Sequence, residues 1–381
     1  MSICLNMIVK NEAGNLERLF HTLVGWVDYF VIADTGSSDQ TIETIMSLSE
    51  ALHIPGEVVR HEWVDFAHNR NMVMDAALES RRQGRHQASW LLIIDADEEL
   101  LVNDPSWKKN MVPGISYLGH VVTAGLAFRR LMLPAIDGQY WRWKGEVHNY
   151  LQAVDASPEL QFLEGVSIGY AEMGGSKSKA FQSAEQKYRH DISVLLRELD
   201  GMKPAPENVH RFFQLAYLYQ AVQEPLTAAN WYQEVWQAAG TPPHIGYVAA
   251  LMAGKQFHLA GNLEASARCL EQAGILDQSR PEHLFYQAMA AKKLGKEQEM
   301  YILLQEAAAR TTGPRDHWML EHALYTWRIQ YELCWWHVRA GHLAEAISGV
   351  DKLLQIASVP AAERQILVQL RNRLAGKQQA W

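Results

Sequence analysis

The first part of the chain alternates between short, almost wholly apolar runs and longer stretches in which apolar and polar residues mix. The apolar runs predict four strands, at residues 3–9, 29–34, 56–63 and 89–95. The mixed stretches predict helices, because their apolar residues recur every three or four positions. In the first stretch these residues are Leu16, Leu19, Phe20 and Leu23. Strands that alternate with helices of about 10–15 residues indicate a parallel α/β sheet.

The pattern changes after residue 110. Residues 116–134 and 140–151 predict irregular, antiparallel strands. Residues 172–179 (EMGGSKSK) are rich in Gly and Ser, which predicts a flexible segment that serves either as a lid or as a linker. From residue 178 onward almost every segment predicts helix.

Short polar breaks divide this helical half, and each separates an Ala- and aromatic-rich helix from a second helix. The breaks are centred on Gln223, Gly261, Gly295 and Gly341. Two of them, Gly261 and Gly295, are 34 residues apart, which is the tetratricopeptide period. The other spacings are irregular, so the pattern predicts a degenerate tetratricopeptide-like array, with a plain helical bundle as the alternative.

The composition narrows the class of protein. Apolar residues make up 48% of the chain, which is enough for a sizeable core, and the net charge of −8 argues against broad binding of nucleic acid. The three cysteines are far apart and fit neither a disulfide framework nor a zinc site, so we expect a reducing compartment. The N-terminus does not resemble a signal peptide, and no apolar run is long enough to span a membrane. We therefore expect a cytoplasmic protein.

Polar residues gather where the four predicted strands end. They are Lys10, Asn11 and Glu12 after the first strand, Asp34 and Thr35 at the second, Asp65 after the third, and Asp95 and Asp97 at the fourth. In parallel α/β sheets, ligands bind beyond the carboxyl ends of the strands. The coincidence over four strands predicts a binding site at this edge.

Asp95 and Asp97 stand one residue apart at the end of the fourth strand (WLLIIDADEEL, residues 90–100). Two carboxylates with this spacing can approach one cation, and Mg²⁺ or Mn²⁺ prefers such oxygen ligands. A bound cation would also make the local charge positive, whereas the two carboxylates alone would repel a diphosphate. The alternative is a solvated turn. One of Glu98 and Glu99 could reach this site, but both are expected to be solvated acids at the start of a helix.

The turn after the second strand (ADTGSSDQT) offers two kinds of contact. The carboxylate of Asp34 suits ribose hydroxyls or a base N–H, whereas the amides at the start of the next helix suit a phosphate. Ser37 or Ser38 is expected to cap that helix.

The segment after the third strand (WVDFAHNRN) places Asp65 before a helix and Arg70 one turn into it. Arg70 could offset the charge of a diphosphate or pair with Asp95, and Asn71 could hydrogen-bond a buried acid. The alternative is an ordinary helix surface.

Glu146 and His148 lie in a later segment (WRWKGEVHNYL). Alternation along a strand would point both side chains the same way, which suits a metal ligand beside a general base. A histidine with a purely structural role is the alternative.

Five motifs in order, MIVKNE, ADTGSSDQT, EWVDFAHNRN, LLIIDADEEL and WKGEVHNYL, make residues 1–150 resemble a family 2 glycosyltransferase. The resemblance implies the GT-A fold, a Rossmann-like fold of nucleotide-diphospho-sugar transferases. The later stretch from residue 187 resembles the helical tail of one branch of the family. That branch includes lipooligosaccharide-core glucosyltransferases and peptide S- and O-glycosyltransferases with tetratricopeptide-like helices.

The resemblance implies a nucleotide pocket at the strand ends. Its residues would be the main chain at Ile8, with Asn11, Glu12, Asp34, Thr35, Asp65, Arg70 and Asp95. Asp34 would contact the uridine or its ribose, and Asp65 and Arg70 would fix the base side of the site.

The resemblance also implies catalytic roles for Asp97, Glu146 and His148. Asp97 would bind the metal, Asp95 would contact the metal or the ribose, and His148 would contact the metal or the diphosphate. The family has a Glu where this chain has Asn149, which cannot accept a proton. The general base is therefore either missing or replaced by Glu146.

These expectations give a domain order: a GT-A domain at residues 1–175, a linker helix at 176–206 and a tetratricopeptide-like domain at 207–381. The implied activity is metal-dependent, inverting transfer of a sugar from a UDP-sugar, with UDP-glucose as the default donor and UDP-GlcNAc and UDP-galactose as alternatives. The expected acceptor is a peptide or protein docked by the helical domain. The alternatives are a lipooligosaccharide or other glycan acceptor, and a degenerate transferase that acts as a binding scaffold. A homodimer is compatible with the sequence.

Overall fold

The computed structural model describes residues 1–122, 126–154, 158–170, 181, 183–311 and 319–378. The chain folds into two compact units, Met1–Glu198 and Leu199–Trp381. The segment at 172–179, predicted to be a lid or a linker, lies outside the described residues. The domain boundaries drawn from the sequence stay predictions.

The first unit is built on a parallel sheet of four strands in the order β3-β2-β1-β4. The strands are β1 (Ile3–Val9), β2 (Tyr29–Asp34), β3 (Gly56–Arg60) and β4 (Trp90–Ile93). The helices that follow β1, β2 and β3 are α1 (Ala13–Leu23), α2 (Thr41–Leu52) and α3 (Phe66–Arg82). The predicted α/β architecture is confirmed.

Both faces of this sheet are buried. Alternate residues of β1, such as Leu5 and Met7, pack with α1, whereas Cys4 on the opposite face packs with α3. A strand that is covered on both sides needs apolar residues at nearly every position. This burial explains the continuous apolar runs in the sequence.

A second sheet follows in the chain. Its strands within the first unit are β5 (Glu98–Val102), β6 (Ser116–Val122), β7 (Leu126–Leu133) and β10 (Leu160–Tyr170), in the order β7-β6-β10-β5. A 3₁₀ turn (Trp107–Asn110) follows β5, and a separate antiparallel hairpin comprises β8 (Trp141–Lys144) and β9 (Tyr150–Ala153). The first unit ends with the helix α4 (Ala184–Glu198).

The second unit consists almost entirely of helices. They are α5 (Val209–Ala221), α6 (Pro225–Gln237), α7 (Pro243–Leu259), α8 (Leu263–Leu276), α9 (Glu282–Lys293), α10 (Glu297–Ala309), α11 (His322–Thr326), α12 (Arg328–Ala340), α13 (Leu343–Leu354) and α14 (Ala361–Gln378), with a two-residue strand β11 (Leu320–Glu321) before α11. Among the described residues, no helix combines the length and the hydropathy that a membrane-spanning helix needs.

Four tight turns join these helices in pairs, and each turn contains a residue with positive φ. These residues are Gln223 (φ 60°), Gly261 (φ 83°), Gly295 (φ 72°) and Gly341 (φ 79°). They are the polar breaks seen in the sequence, where the chain reverses direction between two helices. Consecutive helices pack against each other along the unit, so the predicted tetratricopeptide-like, all-α region is confirmed.

A buried ion pair lies inside the second unit. The guanidinium of Arg280 donates to Glu282 at 2.7 Å and stacks over the ring of Tyr247, 4.2 Å from its centroid. The hydroxyls of Tyr247 and Tyr325 donate to the same carboxylate at 3.3 and 3.0 Å. A carboxylate removed from water needs such partners, since leaving it unpaired costs several kcal/mol, on the order of 3–5.

The neighbouring His283 gives the second unit an expected sensitivity to acid. Burial, helped by the charge of Arg310, lowers the pKa of His283 to about 4 from an ordinary value of 6.5. The unfolded chain therefore binds this proton first as the pH falls. Stability that is fully present above pH 6.5 is lost as the pH falls towards 4.

We expect His283→Gln to remove on the order of 3 kcal/mol of this pH dependence, because the substitution abolishes the titration while keeping a hydrogen-bonding group. Urea unfolding at pH 7.5 and pH 4.5 measures it, with His21→Gln at an exposed position of α1 as the control. An equal loss of stability on acidification in wild type and His283→Gln would contradict this assignment.

Candidate active site

The loops that follow β1 and β2 are joined by hydrogen bonds. The backbone N–H of Asn11 (φ 56°) donates to Ser37 Oγ at 2.9 Å, and the N–H of Ser38 donates to Asn11 Oδ1 at 2.7 Å. The N–H of Glu12 donates to Thr41 Oγ1 at 2.9 Å. These bonds make the two loops one wall at the carboxyl edge of the first sheet.

Asp34 is the buried acid of this wall, with 4% of its surface exposed. Its Oδ2 accepts from the N–H groups of Gly36 and Ser37, both at 3.1 Å. Its Oδ1 is buried and has no hydrogen-bond partner among the described residues. Buried acceptors are almost always satisfied in folded proteins, so Oδ1 is an acceptor to which a ligand can donate.

The same turn corrects one prediction. Neither Ser37 nor Ser38 caps α2; Asp39 Oδ1 accepts from the N–H of Thr41 at 3.1 Å instead. The amides of Gly36 and Ser37 are directed at the carboxylate of Asp34, and the phosphate contact expected of the amides at the start of α2 stays a prediction. The turn therefore presents an acceptor to a ligand.

The other candidates on the first two strands contact the protein itself. Thr35 donates from both its N–H and its hydroxyl to the carbonyl of Val9, at 2.9 and 3.0 Å. Glu12 accepts from Asn15 at 2.7 Å, and Ile8 lies within β1 opposite Ala33. The nucleotide contacts expected of these residues stay predictions.

Asp95 forms an ion pair with a buried arginine of α3. Arg70 Nη2 donates to Asp95 Oδ1 at 2.6 Å, and the guanidinium lies 4.7 Å from the ring centroid of Trp143. Burial raises the pKa of Asp95, but the charges of Arg70 and Arg130 outweigh it, and the net direction is downward. Of the two contacts considered for Arg70, the structure contains the one with Asp95.

A second arginine, which the sequence analysis missed, neutralises the next acid. Both Nη atoms of Arg130 donate to Glu98, at 2.8 and 2.7 Å, and Glu98 is only 1% exposed. Glu98 Oε2 also accepts from the N–H of Asp95 at 2.8 Å. The expectation of a solvated acid at a helix start was wrong for Glu98, because the chain continues into β5. No local pattern links residues so far apart in the sequence.

Asp97 lies half-buried in the turn between β4 and β5, where Arg18 Nη2 of α1 approaches the carbonyl of Ala96 at 3.5 Å. Burial and the nearby carboxylates of Glu98, Asp95 and Asp97 raise the pKa of Tyr170 to about 12, although Arg130 opposes them. The carboxylates of Asp95, Asp97 and Glu98 therefore lie close enough together to act on the same side chain.

The described part of the chain contains no group of three or more His, Cys, Asp or Glu side chains arranged to hold a metal ion. The metal roles expected of Asp95, Asp97 and His148 stay predictions.

Two polar residues near the start of α3, Asp65 and Asn71, form hydrogen bonds with backbone groups. Asp65 caps this helix, and its Oδ1 accepts from the N–H of His68 at 2.7 Å. Asn71 donates to the carbonyl of Trp143 at 3.0 Å and accepts from its N–H at 2.9 Å. The predicted bond from Asn71 to a buried acid was wrong, because its amide pairs with the edge of β8 as another strand would.

Glu146 and His148 do not lie on a strand. Residues 145–149 form a bend between β8 and β9, and His148 has a φ of 45°. The argument from strand alternation was therefore wrong. Both side chains nevertheless contact α4: Arg197 Nη2 donates to Glu146 at 2.7 Å, and His148 Nε2 lies 3.4 Å from Asp191 Oδ2. From the sequence, α4 was expected only to be part of a linker helix.

Comparison with known proteins identifies the first unit. Residues 4–170 match the model of glycosyl transferase family 2. This range contains β1 to β10, and hence every candidate discussed above except the contacts from α4. The prediction of a family 2 glycosyltransferase domain is confirmed for these residues.

Other similarities include two proteins that are named for TPR repeats. A TPR repeat-containing protein of Synechococcus elongatus is 32% identical over 103 residues, which make up 27% of this chain and 21% of that protein. The match therefore spans about a fifth of the relative's length. A thermophilic TPR protein of Thermus thermophilus is 19% identical with a TM-score of 0.33, covering 51% of this chain and 91% of that one. MamA of Desulfovibrio magneticus is 12% identical with a TM-score of 0.35, covering 48% and 95%.

The pair of Glu98 and Arg130 gives a test of how the acidic turn is held. We expect Arg130→Met to destabilise the protein by about 3–5 kcal/mol, since it leaves Glu98 buried without its partner. Adding Glu98→Leu should restore most of that loss. Urea unfolding measures both, with Arg82→Met, which removes an exposed arginine of α3 paired with Glu79, as the control. Equal losses for Arg82→Met and Arg130→Met would contradict the proposed role of the pair.

Proposed function

We propose that this chain, in which residues 4–170 form a glycosyl transferase family 2 domain, transfers a sugar from a UDP-sugar to a peptide or protein. Glucose is the expected sugar, and Mn²⁺ or Mg²⁺ the expected ion. The observation that carries the proposal is the buried Oδ1 of Asp34, which has no hydrogen-bond partner within the described ranges and lies at the same sheet edge as the acidic turn after β4.

The nucleoside would lie at the wall formed by the first two loops. Asp34 Oδ1 would accept a hydrogen bond from a ribose hydroxyl or a base N–H. Both are neutral donors, so no cation is needed at this end of the donor. The other carboxylate oxygen is held by two backbone N–H groups, which fixes the direction of Oδ1 before the nucleotide arrives.

The diphosphate would lie at the turn after β4. Asp97, together with Asp95, would hold the divalent ion, and these two carboxylates match the oxygen ligands that Mg²⁺ and Mn²⁺ prefer. When bound, the ion would neutralise charge on the departing diphosphate. Arg70 restrains Asp95, and Glu98 accepts from its backbone N–H. The turn is therefore positioned by the protein and does not depend on the ligand for its shape.

The acceptor would attack the anomeric carbon from the face opposite the diphosphate, which inverts that centre. We assign His148 as the residue that takes the acceptor's proton. Asn149 has no basic group, and Arg197 already donates to the carboxylate of Glu146. An imidazole beside a carboxylate is a common arrangement for a general base.

A peptide acceptor is favoured over a glycan by the helical second unit. Stacked helix pairs form extended surfaces that bind peptides. The glycan-acceptor alternative predicts turnover with a saccharide and none with peptides. The scaffold alternative predicts that the nucleotide binds without any turnover.

We expect UDP release from a UDP-sugar to require Mn²⁺ or Mg²⁺ and to fall at least about a hundredfold in Asp97→Asn, since this change weakens the contact to the ion. A coupled assay for UDP over several UDP-sugars measures it and identifies the sugar. Many transferases slowly hydrolyse their donor, so no acceptor is needed.

The matched control is Glu99→Gln, which removes the charge of a nearby acid in β5 and should leave the rate unchanged. Release that persists in EDTA, or that is equal in Asp97→Asn and wild type, would contradict the assignment of the ion. No release from any donor, with or without peptides, would contradict the enzymatic proposal.

A further inference from the structure

The helix α4 supplies a buried acid to the bend that carries His148. Asp191 has only 3% of its surface exposed, and its Oδ2 lies 3.4 Å from His148 Nε2. A carboxylate is one of the groups least often buried, because removal from water costs several kcal/mol unless a partner compensates. The position of Asp191 therefore needs an explanation, and the imidazole is a partner that provides one.

The bend itself is held in an unusual conformation. His148 has a φ of 45°, in the left-handed region that residues other than glycine seldom adopt. Such backbone persists where the surroundings enforce it, and it is concentrated at functional sites. Two contacts from α4 enforce it here: Glu146 N–H donates to Glu198 Oε1 at 2.8 Å, and Arg197 donates to the Glu146 side chain at 2.7 Å.

The preceding strand is fixed from the other side. Asn71 of α3 exchanges two hydrogen bonds with the backbone of Trp143, in β8. The bend at residues 145–149 is thus held between α3 and α4. A side chain on it can be directed accurately, which a mobile loop would not allow.

We infer that Asp191 is a positioning residue for the transfer reaction, a role that rests on the proposed function. Its carboxylate lies 3.4 Å from Nε2 of His148, favours the tautomer with the proton on that nitrogen, and leaves Nδ1 for the acceptor. In the reaction, a lone pair of the acceptor atom forms the bond to the anomeric carbon. The electron pair of the breaking C–O bond leaves with the diphosphate, and the acceptor's proton passes to Nδ1. The charge that then forms on the ring is stabilised by the buried carboxylate.

A double-mutant cycle tests whether Asp191 acts through His148. Asp191→Asn should lower kcat for UDP release about ten- to a hundredfold and leave the KM for the donor within about twofold. In the His148→Gln background the same change should have almost no further effect, because the group that Asp191 positions is gone. Glu185→Gln removes an exposed acid from the same helix and should leave both constants unchanged.

Asp191→Asn could also fail to fold, so each variant is first compared with wild type by thermal melting. Should it be unfolded, Asp191→Glu replaces it. That variant keeps the carboxylate, and its loss of kcat should likewise vanish in the His148→Gln background.

The outcomes separate this inference from the proposed function. Losses that multiply in the double mutant, or a raised donor KM with an unchanged kcat, would show that Asp191 does not act by orienting His148, and would overturn the inference. An active wild type with an unimpaired His148→Gln would overturn both the assigned base and Asp191, but not the transferase. A wild type that releases no UDP from any donor would overturn the proposed function itself.

Discussion

The first unit depends on how it neutralises the acids that follow its fourth strand. Four carboxylates within five residues would repel one another at the edge of a buried sheet. Arg70 pairs with Asp95, and Arg130 holds Glu98 with both of its terminal nitrogens. These arginines come from α3 and β7, so the acidic turn takes its shape only when both sheets have formed. Asp97 is thereby placed in a fixed turn, where we propose that it binds the ion.

At the opposite end of the site, hydrogen bonds within the first two loops hold Asp34 in place. Backbone N–H groups and side-chain oxygens of the first two loops satisfy one another, and one oxygen of Asp34 is left over. The two ends thus differ in charge. One is an acid directed at neutral donors, and the other is an acidic cluster partly balanced by arginine. A nucleoside diphosphate has the same asymmetry, with a neutral, donor-rich nucleoside and an anionic diphosphate that needs a cation.

Much of this could be predicted from the sequence, because the features concerned are local. The bounds of β1 and β2 follow from apolar runs, and the helix pairs of the second unit follow from Gly261, Gly295 and Gly341. The gathering of polar residues at one edge followed from strand direction alone. The five ordered motifs then led to the family.

Most of the errors involve partners distant in sequence. Glu98 was expected in solvent because its partner lies on β7, a strand of the same sheet that is remote in the sequence, and Asn71 was assigned to an acid because the edge of β8 was not known to be beside it. The bend at residues 145–149 was read as a strand, since nothing in the sequence shows that α4 holds it. The periodicity of apolar residues locates helices and strands, but it does not show which of them contact each other.

The most direct measurement is the binding of UDP to wild type and to Asp34→Asn by calorimetry in the presence of Mn²⁺. The account predicts that UDP binds to wild type. It also predicts that Asp34→Asn weakens this binding at least about tenfold, because an amide accepts the nucleoside's hydrogen bond less strongly than a carboxylate does. Equal affinities in the two proteins, or no binding to wild type, would contradict the claim that this sheet edge recognises a nucleoside diphosphate.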